Sequence, residues 1–274
     1  MTIKNYTKAC TVIQAEKITK RNAKKLAIQY IESLNELKTL QQQFIPKQPI
    51  ILDPYKISSL YQPSYYLSGD FFEYVALDKN RIGIFIIDIV GKGLSASFST
   101  ILLKSIFETV IQKEKTPKAI MQNINNKMYH TMELKRHSGC GFFGVLDTKE
   151  NTLTYCNCGI GIAKIFRKNN IIELCDYGGF MLGAINNVLY TEGTIKLKSN
   201  DTLIFATDGL EDVKNESGER IGQEWLKPTI LTHLKNKIEG RLVVHQIEHY
   251  IQTQIGNKVA LEDDISAICI EVNS

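Results

Sequence analysis

The sequence predicts an α+β protein in which two antiparallel β-sheets pack as a sandwich, with pairs of helices outside them and one helix in front. Three observations lead to this fold class. After about residue 57 short β-rich runs follow one another, helical stretches occur in pairs, and strands and helices do not alternate as in a doubly wound parallel sheet. With 274 residues, 43% hydrophobic and 23% charged, the chain has an ordinary globular composition.

The first predicted element is a helix over residues 11–45, because helix formers dominate there and neither Pro nor Gly occurs before Pro46. Mostly apolar side chains recur at alternating spacings of four and three residues, which predicts a narrow seam suited to a partner helix. The seam consists of Ala23, Ala27, Tyr30, Leu34, Leu37, Gln41 and Phe44. The pattern leaves open whether this helix docks on a partner or packs on its own domain.

Pro46 and Pro54 end the helix and predict an extended connector. The expected domains are therefore residues 1–50, a basic helix and connector for docking or dimerisation, and residues 51–274. Residues 1–50 hold nine Lys or Arg and three Glu, whereas the other 224 residues hold 24 basic and 26 acidic side chains. Because the basic charge does not lie on the folded body, the sequence argues against a nucleic-acid partner.

The main domain is expected to hold ten strands and four helices. The strands are predicted at 57–62, 70–76, 81–89, 140–147, 152–158, 163–167, 171–174, 192–196, 202–207 and 265–271. The stretches VALDKNRIGIF and VLDTKENTLTYC are predicted hairpins, with turns at 78–80 and 148–151. The helices are predicted at 94–112, 117–130, 223–234 and 241–255.

Several classes of protein are disfavoured by what the sequence does not contain. No uninterrupted apolar run is long enough to cross a bilayer and no secretory signal is seen, so we expect a cytoplasmic protein without a membrane partner. No glycine-rich nucleotide motif follows a strand. The six cysteines lack CxxC spacing, which favours buried free thiols. His245 and His249 have no third ligand nearby, which favours an ordinary helix face over a metal site.

Acidic residues stand beside the ends of several apolar strands. Asp70 begins the strand in SGDFFEY, Asp88 leads into the glycine loop of IFIIDIVGKG, Asp208 meets glycine in LIFATDG, and Asp263 and Asp264 precede the last strand. A carboxylate is costly to bury alone, whereas a cation at the sheet rim would compensate it, and glycine lets a ligand approach closely. Such oxygen ligands suit Mg²⁺ or Mn²⁺ rather than Zn²⁺. Taken alone, each residue would more often end a turn or cap a helix than bind a metal.

Eight ordered blocks, spanning roughly residues 41–272, carry a family resemblance. They are QQQFIPKQP, SGDFFEY, DIVGKGLSASF, FFGVLD, LTYCNCG, LGA, DTLIFATDGLEDVKNESGERIG and DDISAICIEV. In this combination the chain resembles the PPM-type (type 2C) metal-dependent serine/threonine phosphatases, in their SpoIIE/RsbU-like branch. The resemblance implies a β-sandwich with paired outer helices, and hydrolysis of phosphoserine or phosphothreonine by water held between two Mn²⁺ or Mg²⁺ ions.

The resemblance also implies roles for individual residues. The expected metal ligands are Asp70, Asp88, the backbone carbonyl of Ile89, Asp208 and Asp263. Asp88 would bridge both metals, and with Asp208 it would act catalytically through metal-bound water. Asp70 would hold one metal from outside, often through water. Asp264 stands beside Asp263, and the alignment leaves open which of the two is the ligand.

Three blocks depart from the family pattern. Ile160 in NCGIG stands where histidine is usual, Ser266 replaces the threonine of DDIT, and SGCGFFGVLD replaces a run that more often contains threonine. None of these changes removes an expected ligand, so we expect altered substrate contact at Ile160 rather than loss of activity. Lys92 in the glycine loop either approaches the phosphate or is simply solvated.

The resemblance implies a phosphorylated anti-sigma-factor antagonist, a STAS-domain protein, as substrate in a bacterial partner-switching pathway. A homodimer or a regulatory protein is the expected partner of helix 11–45. Two alternatives remain: a non-catalytic binding module on the same fold, and a phosphatase for small phosphorylated metabolites.

Overall fold

The computed structural model describes residues 20–46, 48–131, 137–168, 170–215, 217–220, 228, 243–255 and 261–273. The chain divides into two compact units, Met1–Gln42 and Gln43–Ser274. Helix α1 (Lys20–Gln43) is the described part of the expected helix 11–45, and residues 11–19 lie outside the described residues. The side chains from residue 22 to residue 33 are all exposed, among them Leu26 and Tyr30.

Eleven described strands form two antiparallel sheets. The first sheet has the order β1 (Ile50–Leu52), β2 (Tyr55–Gln62), β11 (Ile265–Val272), β10 (Thr202–Ala206), β7 (Ile162–Arg167) and β8 (Asn170–Glu173). The second has the order β3 (Asp70–Ala76), β4 (Arg81–Ile89), β5 (Gly139–Asp147), β6 (Thr152–Cys158) and β9 (Gly193–Lys196). The predicted sandwich of antiparallel sheets is confirmed.

The two sheets enclose the main hydrophobic core. Phe142 of the second sheet stacks on Phe205 of the first with ring centroids 4.4 Å apart, and both rings are fully buried. The run from Ile82 to Ile87 is buried on both sides of β4, because the other sheet covers one face and helices cover the opposite face. This double burial explains why β4 is a continuous apolar run rather than an alternating one.

Helices α2 (Leu94–Ile111) and α3 (Pro117–Thr131) pack against each other and on the second sheet. Phe107 of α2 stacks on Phe85 of β4 at 4.9 Å between ring centroids. Helix α4 (Val243–Ile255) packs on the first sheet. Helix α2 is long and apolar enough to cross a membrane by length and composition alone, although it contains Lys104. In the fold 44% of this helix is buried, and the core helices of soluble proteins pass the same test of length and composition.

Most of the predicted elements agree with the structure to within two residues. Both predicted hairpins are present as β3–β4 and β5–β6, and the Asp78 carboxylate accepts hydrogen bonds from the amides of Asn80 and Arg81 in the first turn. The sequence missed β1, which pairs with β2 inside the expected connector. Of the predicted helix 223–234 the structure describes only Pro228, which is helical, and the other residues lie outside the described ones.

The connector that follows α1 packs on the sandwich. Ile45 belongs to the main core, and the Tyr74 hydroxyl donates a hydrogen bond to the Gln48 carbonyl at 2.8 Å. The structure therefore divides the chain at Gln42/Gln43, whereas the sequence placed the boundary at residue 50. The docking or dimerising role of the first segment stays a prediction.

Candidate active site

Two of the expected ligands face each other at one end of the second sheet. Asp70 begins β3 and Asp88 stands opposite it on β4, so that their side chains lie on the same face. Asp70 is 2% exposed, and the Thr207 hydroxyl donates a hydrogen bond to its Oδ2 at 2.9 Å. Thr207 follows β10, so this bond joins the two sheets at the site.

Burial and neighbouring negative charge raise the pKa of Asp70, Asp88 and Asp208. Burial raises the pKa of Asp70 well above its ordinary value, and the charge of Asp88 adds to the effect. Burial, followed by the charges of Asp208 and Asp263, raises the pKa of Asp88 from 3.8 to about 6. Partial burial and then Asp263 also raise the pKa of Asp208. The cluster therefore holds more negative charge than its surroundings compensate, which is the condition that a bound cation relieves.

The position of Asp208 depends on close packing between the turn after β10 and the backbone just before β11. It opens the short 3₁₀ helix Asp208–Leu210, directly after β10. A Cβ atom at Gly209 would lie 2.0 Å from the carbonyl oxygen of Asp264, so glycine is needed for this turn to pack against the start of β11. The amides of Thr207 and Ser266 cross between the strands: Thr207 N donates to Ser266 O, and Ser266 N donates to Thr207 Oγ1, each at 3.0 Å.

The neighbouring residues Asp263 and Asp264 have different surroundings. Asp264 is buried, and its carboxylate accepts hydrogen bonds from the amide and hydroxyl of Ser64 at 2.7 and 2.8 Å and from the amide of Gly69 at 2.9 Å. Asp263 is about one-third exposed and lies with Asp88 and Asp208 in the acidic cluster. Asp263 Oδ1 accepts a hydrogen bond from the Asp264 amide at 2.9 Å. Because Asp263 is the more exposed of the two and lies in the cluster, the geometry favours it as the residue that a cation can reach.

The glycine loop after β4 brings a lysine to the same cluster. Gly91 and Gly93 have φ values of 111° and 70°, which only glycine adopts readily, so the chain can turn on both sides of Lys92. The Lys92 ammonium lies 2.9 Å from Asp263 Oδ2 and also donates a hydrogen bond to the Glu262 carbonyl. Lys92 is therefore held at the rim of the site rather than being free in solvent.

The donor set fits a hard divalent cation. The carboxylates of Asp70, Asp88, Asp208 and Asp263 supply only oxygen, as Mg²⁺ and Mn²⁺ prefer. Within the described ranges, no three acidic, histidine or cysteine side chains form a ready cage for an ion. The carbonyl of Ile89, which follows Asp88 in β4, and water molecules would have to complete the coordination; Mg²⁺ usually keeps several waters.

Two supporting residues were missed in the sequence. Thr207 bonds to Asp70, and Ser64 bonds to Asp264, across separations of 137 and 200 residues. A signal exists only for Thr207, which is a hydroxyl residue between an apolar strand and an expected ligand. Ser64 lies in a polar stretch that carries no comparable pattern.

The other residues singled out in the sequence lie in the core or on the surface, outside the acidic cluster. Ile160 is buried in the main core, and its amide donates a hydrogen bond to Asn157 Oδ1 at 2.9 Å. All described cysteines are free; Cys156 and Cys158 have their sulfur atoms 3.8 Å apart, and Cys175 is exposed rather than buried. His245 and His249 both lie on the exposed face of α4.

Comparisons with known proteins identify the family of this chain. Residues 78–273 match the family model described as Stage II sporulation protein E (SpoIIE). Phosphoserine phosphatase RsbP of Bacillus subtilis is 25% identical over 206 residues, which cover 70% of this chain and 51% of RsbP. Protein IcfG of Synechocystis is 24% identical over 267 residues, covering 88% of this chain and 41% of IcfG. The chain thus spans about half the length, or less, of these relatives.

Solved structures show the same fold. The SiaA-PP2C domain of Pseudomonas aeruginosa superposes with a TM-score of 0.73 at 17% identity, covering 90% of this chain and 98% of that domain. The PP2C phosphatase domain of SpoIIE from Bacillus subtilis gives a TM-score of 0.64 at 15% identity, covering 80% of this chain and 63% of that one. RsbX in complex with magnesium superposes with a TM-score of 0.59 at 15% identity, covering 82% of this chain and 99% of RsbX. The sandwich therefore has the PP2C fold, and the chain belongs to the SpoIIE family.

Proposed function

We propose that this chain is a Mn²⁺- or Mg²⁺-dependent protein-serine/threonine phosphatase. One observation carries the proposal: Asp70, Asp88, Asp208 and Asp263 come from four separate segments and form one cluster, in which burial and neighbouring negative charge raise the pKa of the first three. A cluster of this kind suits two cations that share the central carboxylate of Asp88. The match to the SpoIIE family and the names of the relatives RsbP and RsbU, both phosphoserine phosphatases, support the same activity.

Some of these residues would bind the metal ions, and others would hold the metal ligands in position. Asp88, Asp208, Asp263 and the Ile89 carbonyl would hold the ions, and Asp70 would act from the outer side. The bound ions would supply Lewis-acid charge opposite the phosphoryl oxygens and lower the pKa of a water molecule. Supporting contacts keep the ligands in place: Thr207 fixes Asp70, while Asp264 ties the loop that carries Asp263 to Ser64 and Gly69.

The substrate we propose is a phosphorylated STAS-domain protein, an anti-sigma-factor antagonist, within a cytoplasmic partner-switching pathway. Support comes from the family match and from RsbP and RsbU, the relatives named above. A structure described as belonging to the bacterial stressosome, a modular system that controls secondary messenger signalling, shares the fold with a TM-score of 0.56. A metabolite phosphatase and a non-catalytic binding module are the competing functions.

The test measures phosphate release from para-nitrophenyl phosphate, a phosphoserine peptide and a sugar phosphate, each with Mn²⁺ and with EDTA. The proposal expects Mn²⁺-dependent release from the first two substrates and little from the sugar phosphate. Preference for the sugar phosphate would favour the metabolite enzyme. Mn²⁺ binding without turnover of any substrate would favour the binding module.

A further inference from the structure

Both carboxylate oxygens of Asp263 have a partner within the protein. Oδ1 accepts a hydrogen bond from the Asp264 amide at 2.9 Å, and Oδ2 lies 2.9 Å from the Lys92 ammonium. The same ammonium donates a hydrogen bond to the Glu262 carbonyl, so it contacts two successive residues of the loop before β11. Since like charges at this distance repel strongly, a metal ion that binds Asp263 through Oδ2 has to displace the ammonium.

Lys92 supplies positive charge to a cluster that has little of it. Among the described residues, no other lysine or arginine forms an ion pair with the four aspartates of the proposed metal site. Lys214 and Arg220 pair instead with Glu262 and Asp212, at 2.7 and 3.1 Å. The ammonium of Lys92 therefore stands at the acidic cluster as a cation supplied by the chain itself.

The glycine loop that carries Lys92 allows this ammonium to leave. A Cβ atom at Gly91 or at Gly93 would meet no other atom within 4 Å, so the loop is not packed against the fold at these two positions. The side chains of Lys92 and Asp263 are 45% and 36% exposed. An ion pair with this exposure contributes little to stability, so a bound metal ion can replace it.

We propose that Lys92 is a tethered counter-ion for Asp263, and that its ammonium leaves this carboxylate when a metal ion binds. The inference rests on the proposed function, and it names the group with which the metal ion competes. The apparent metal affinity is then lower than that of the carboxylates alone, because only the chains whose Asp263 is released by Lys92 are competent to bind. Lys92 thereby sets the metal concentration at which the site fills.

The test measures the Mn²⁺ affinity of the full chain by titration calorimetry or, where binding is weak, by electron paramagnetic resonance of free Mn²⁺. Lys92→Gln removes the ammonium and keeps a polar side chain. Lys214→Gln is the matched control, because Lys214 pairs with Glu262, the residue next to Asp263, and carries the same charge without an ion pair to Asp263. Asp263→Asn, alone and together with Lys92→Gln, completes a double-mutant cycle.

Lys92→Gln should bind Mn²⁺ about two- to fivefold more tightly than the natural chain, which is the change expected from removing a partly exposed ion pair. Lys214→Gln should change the affinity less, and Lys92→Gln should bring no gain in the Asp263→Asn background. Three results would each overturn the counter-ion: no gain in the natural background, an equal gain from Lys214→Gln, or an equal gain with and without Asp263. The last two are expected of a charge that acts only at a distance.

Thermal unfolding in EDTA decides the question if Asp263→Asn binds no Mn²⁺ at all. Loss of the counter-ion leaves the negative charge uncompensated, so Lys92→Gln should lower the Tm by about 1–3 °C in the natural background and not in the Asp263→Asn background. A Tm that falls equally in both backgrounds, or in neither, would overturn the proposal.

The natural chain separates this inference from the proposed function. Mn²⁺ binding and Mn²⁺-dependent hydrolysis of para-nitrophenyl phosphate by the natural chain, with no effect of Lys92→Gln on Mn²⁺ affinity, would overturn the counter-ion alone. A natural chain that neither binds Mn²⁺ nor hydrolyses this substrate would overturn the proposed function together with the counter-ion.

Discussion

Asp70 and Asp88 are direct cross-strand neighbours at the end of an otherwise apolar sheet. Burial of Asp70 and the nearby charge of Asp88 make the fully ionised pair unfavourable, although the Thr207 hydroxyl donates a hydrogen bond to Asp70. Two carboxylates in this position destabilise the fold unless positive charge accompanies them. The pair is therefore a feature that folding alone does not explain and that cation binding does.

Replacing Asp88 by Asn should lower the rate of Mn²⁺-dependent hydrolysis by about 100-fold or more, because the amide keeps the shape of the carboxylate but not its charge. The measurement is initial rate on para-nitrophenyl phosphate at saturating Mn²⁺, with circular dichroism to verify the fold. Asp176→Asn is a matched control outside the cluster and should keep its activity. A folded Asp88→Asn protein with substantial activity would contradict the two-metal assignment.

The same variant should stabilise the metal-free protein at neutral pH. The pKa of Asp88 is raised from 3.8 in an unfolded chain to about 6 in the fold, so the folded state binds protons more tightly. The protonated Asp88 side chain contributes fully to the free energy of unfolding below about pH 4, and this contribution is lost as the pH rises through about 6. By pH 7 the free energy of unfolding is lower by about 3 kcal/mol for this reason.

Thermal unfolding in EDTA should therefore show a higher Tm for Asp88→Asn than for the natural chain at pH 7, and a much smaller difference at pH 4. A difference that is equal at the two pH values would show that the charge of Asp88 is not the cause. Added Mn²⁺ should raise the Tm of the natural chain more than that of the variant, because ligands that bind only the folded state stabilise it.

Substitution of Asp263 should affect mainly Mn²⁺ binding, whereas substitution of Asp264 should affect mainly the stability of the fold. Asp263→Ala removes a partly exposed carboxylate from the cluster and should weaken Mn²⁺ binding in titration calorimetry with little change in Tm. Asp264→Ala leaves the donors of Ser64 and Gly69 unpaired and should lower stability by about 1–3 kcal/mol, with a smaller effect on Mn²⁺ affinity. If Asp264→Ala instead abolished binding in a protein of natural stability, the ligand would be Asp264.

Asp208→Ala should also weaken Mn²⁺ binding, because Asp208 is a second cluster member with an exposed side chain. Asp212→Ala provides its control, since Asp212 lies four residues away and forms an ion pair with Arg220 at 3.1 Å. Titration calorimetry on both variants measures the difference. Equal Mn²⁺ affinity in Asp208→Ala and the natural chain would remove Asp208 from the proposed ligands.

The sequence predicted the sandwich and the acidic positions because both leave local patterns. Asp88 lies near the end of the apolar strand β4 and Asp208 follows the apolar strand β10, and a glycine comes soon after each, so both can be recognised without any long-range information. The choice between Asp263 and Asp264 is different, since it depends on which carboxylate meets the donors of Ser64 and Gly69 almost 200 residues away. Strand β1 was missed because its three residues, between two prolines, are too few to show a period.

The last prediction concerns the expected seam of the first helix. Most of its members on α1 are exposed in a single chain, including Tyr30 and Leu37, whereas helices in proteins gain most of their stability from packing an amphipathic face. We expect the helix to gain stability by pairing with a second copy or a regulatory protein. Only about three heptads are present and Gln41 interrupts the seam, so self-association should be modest in affinity.

Light scattering should therefore give a concentration-dependent mass for the natural chain and a monomer mass after deletion of residues 1–42. Leu37→Lys should also give a monomer, whereas Asn35→Lys should not, because Asn35 is exposed and lies off the seam. Turnover of para-nitrophenyl phosphate per chain should stay the same in all three variants, since the acidic cluster lies within residues 43–274. If Leu37→Lys and the deletion leave the mass of the natural chain unchanged, the seam does not mediate self-association. If the deletion unfolds the remaining chain, the helix belongs to the folding unit and the domain boundary is wrong.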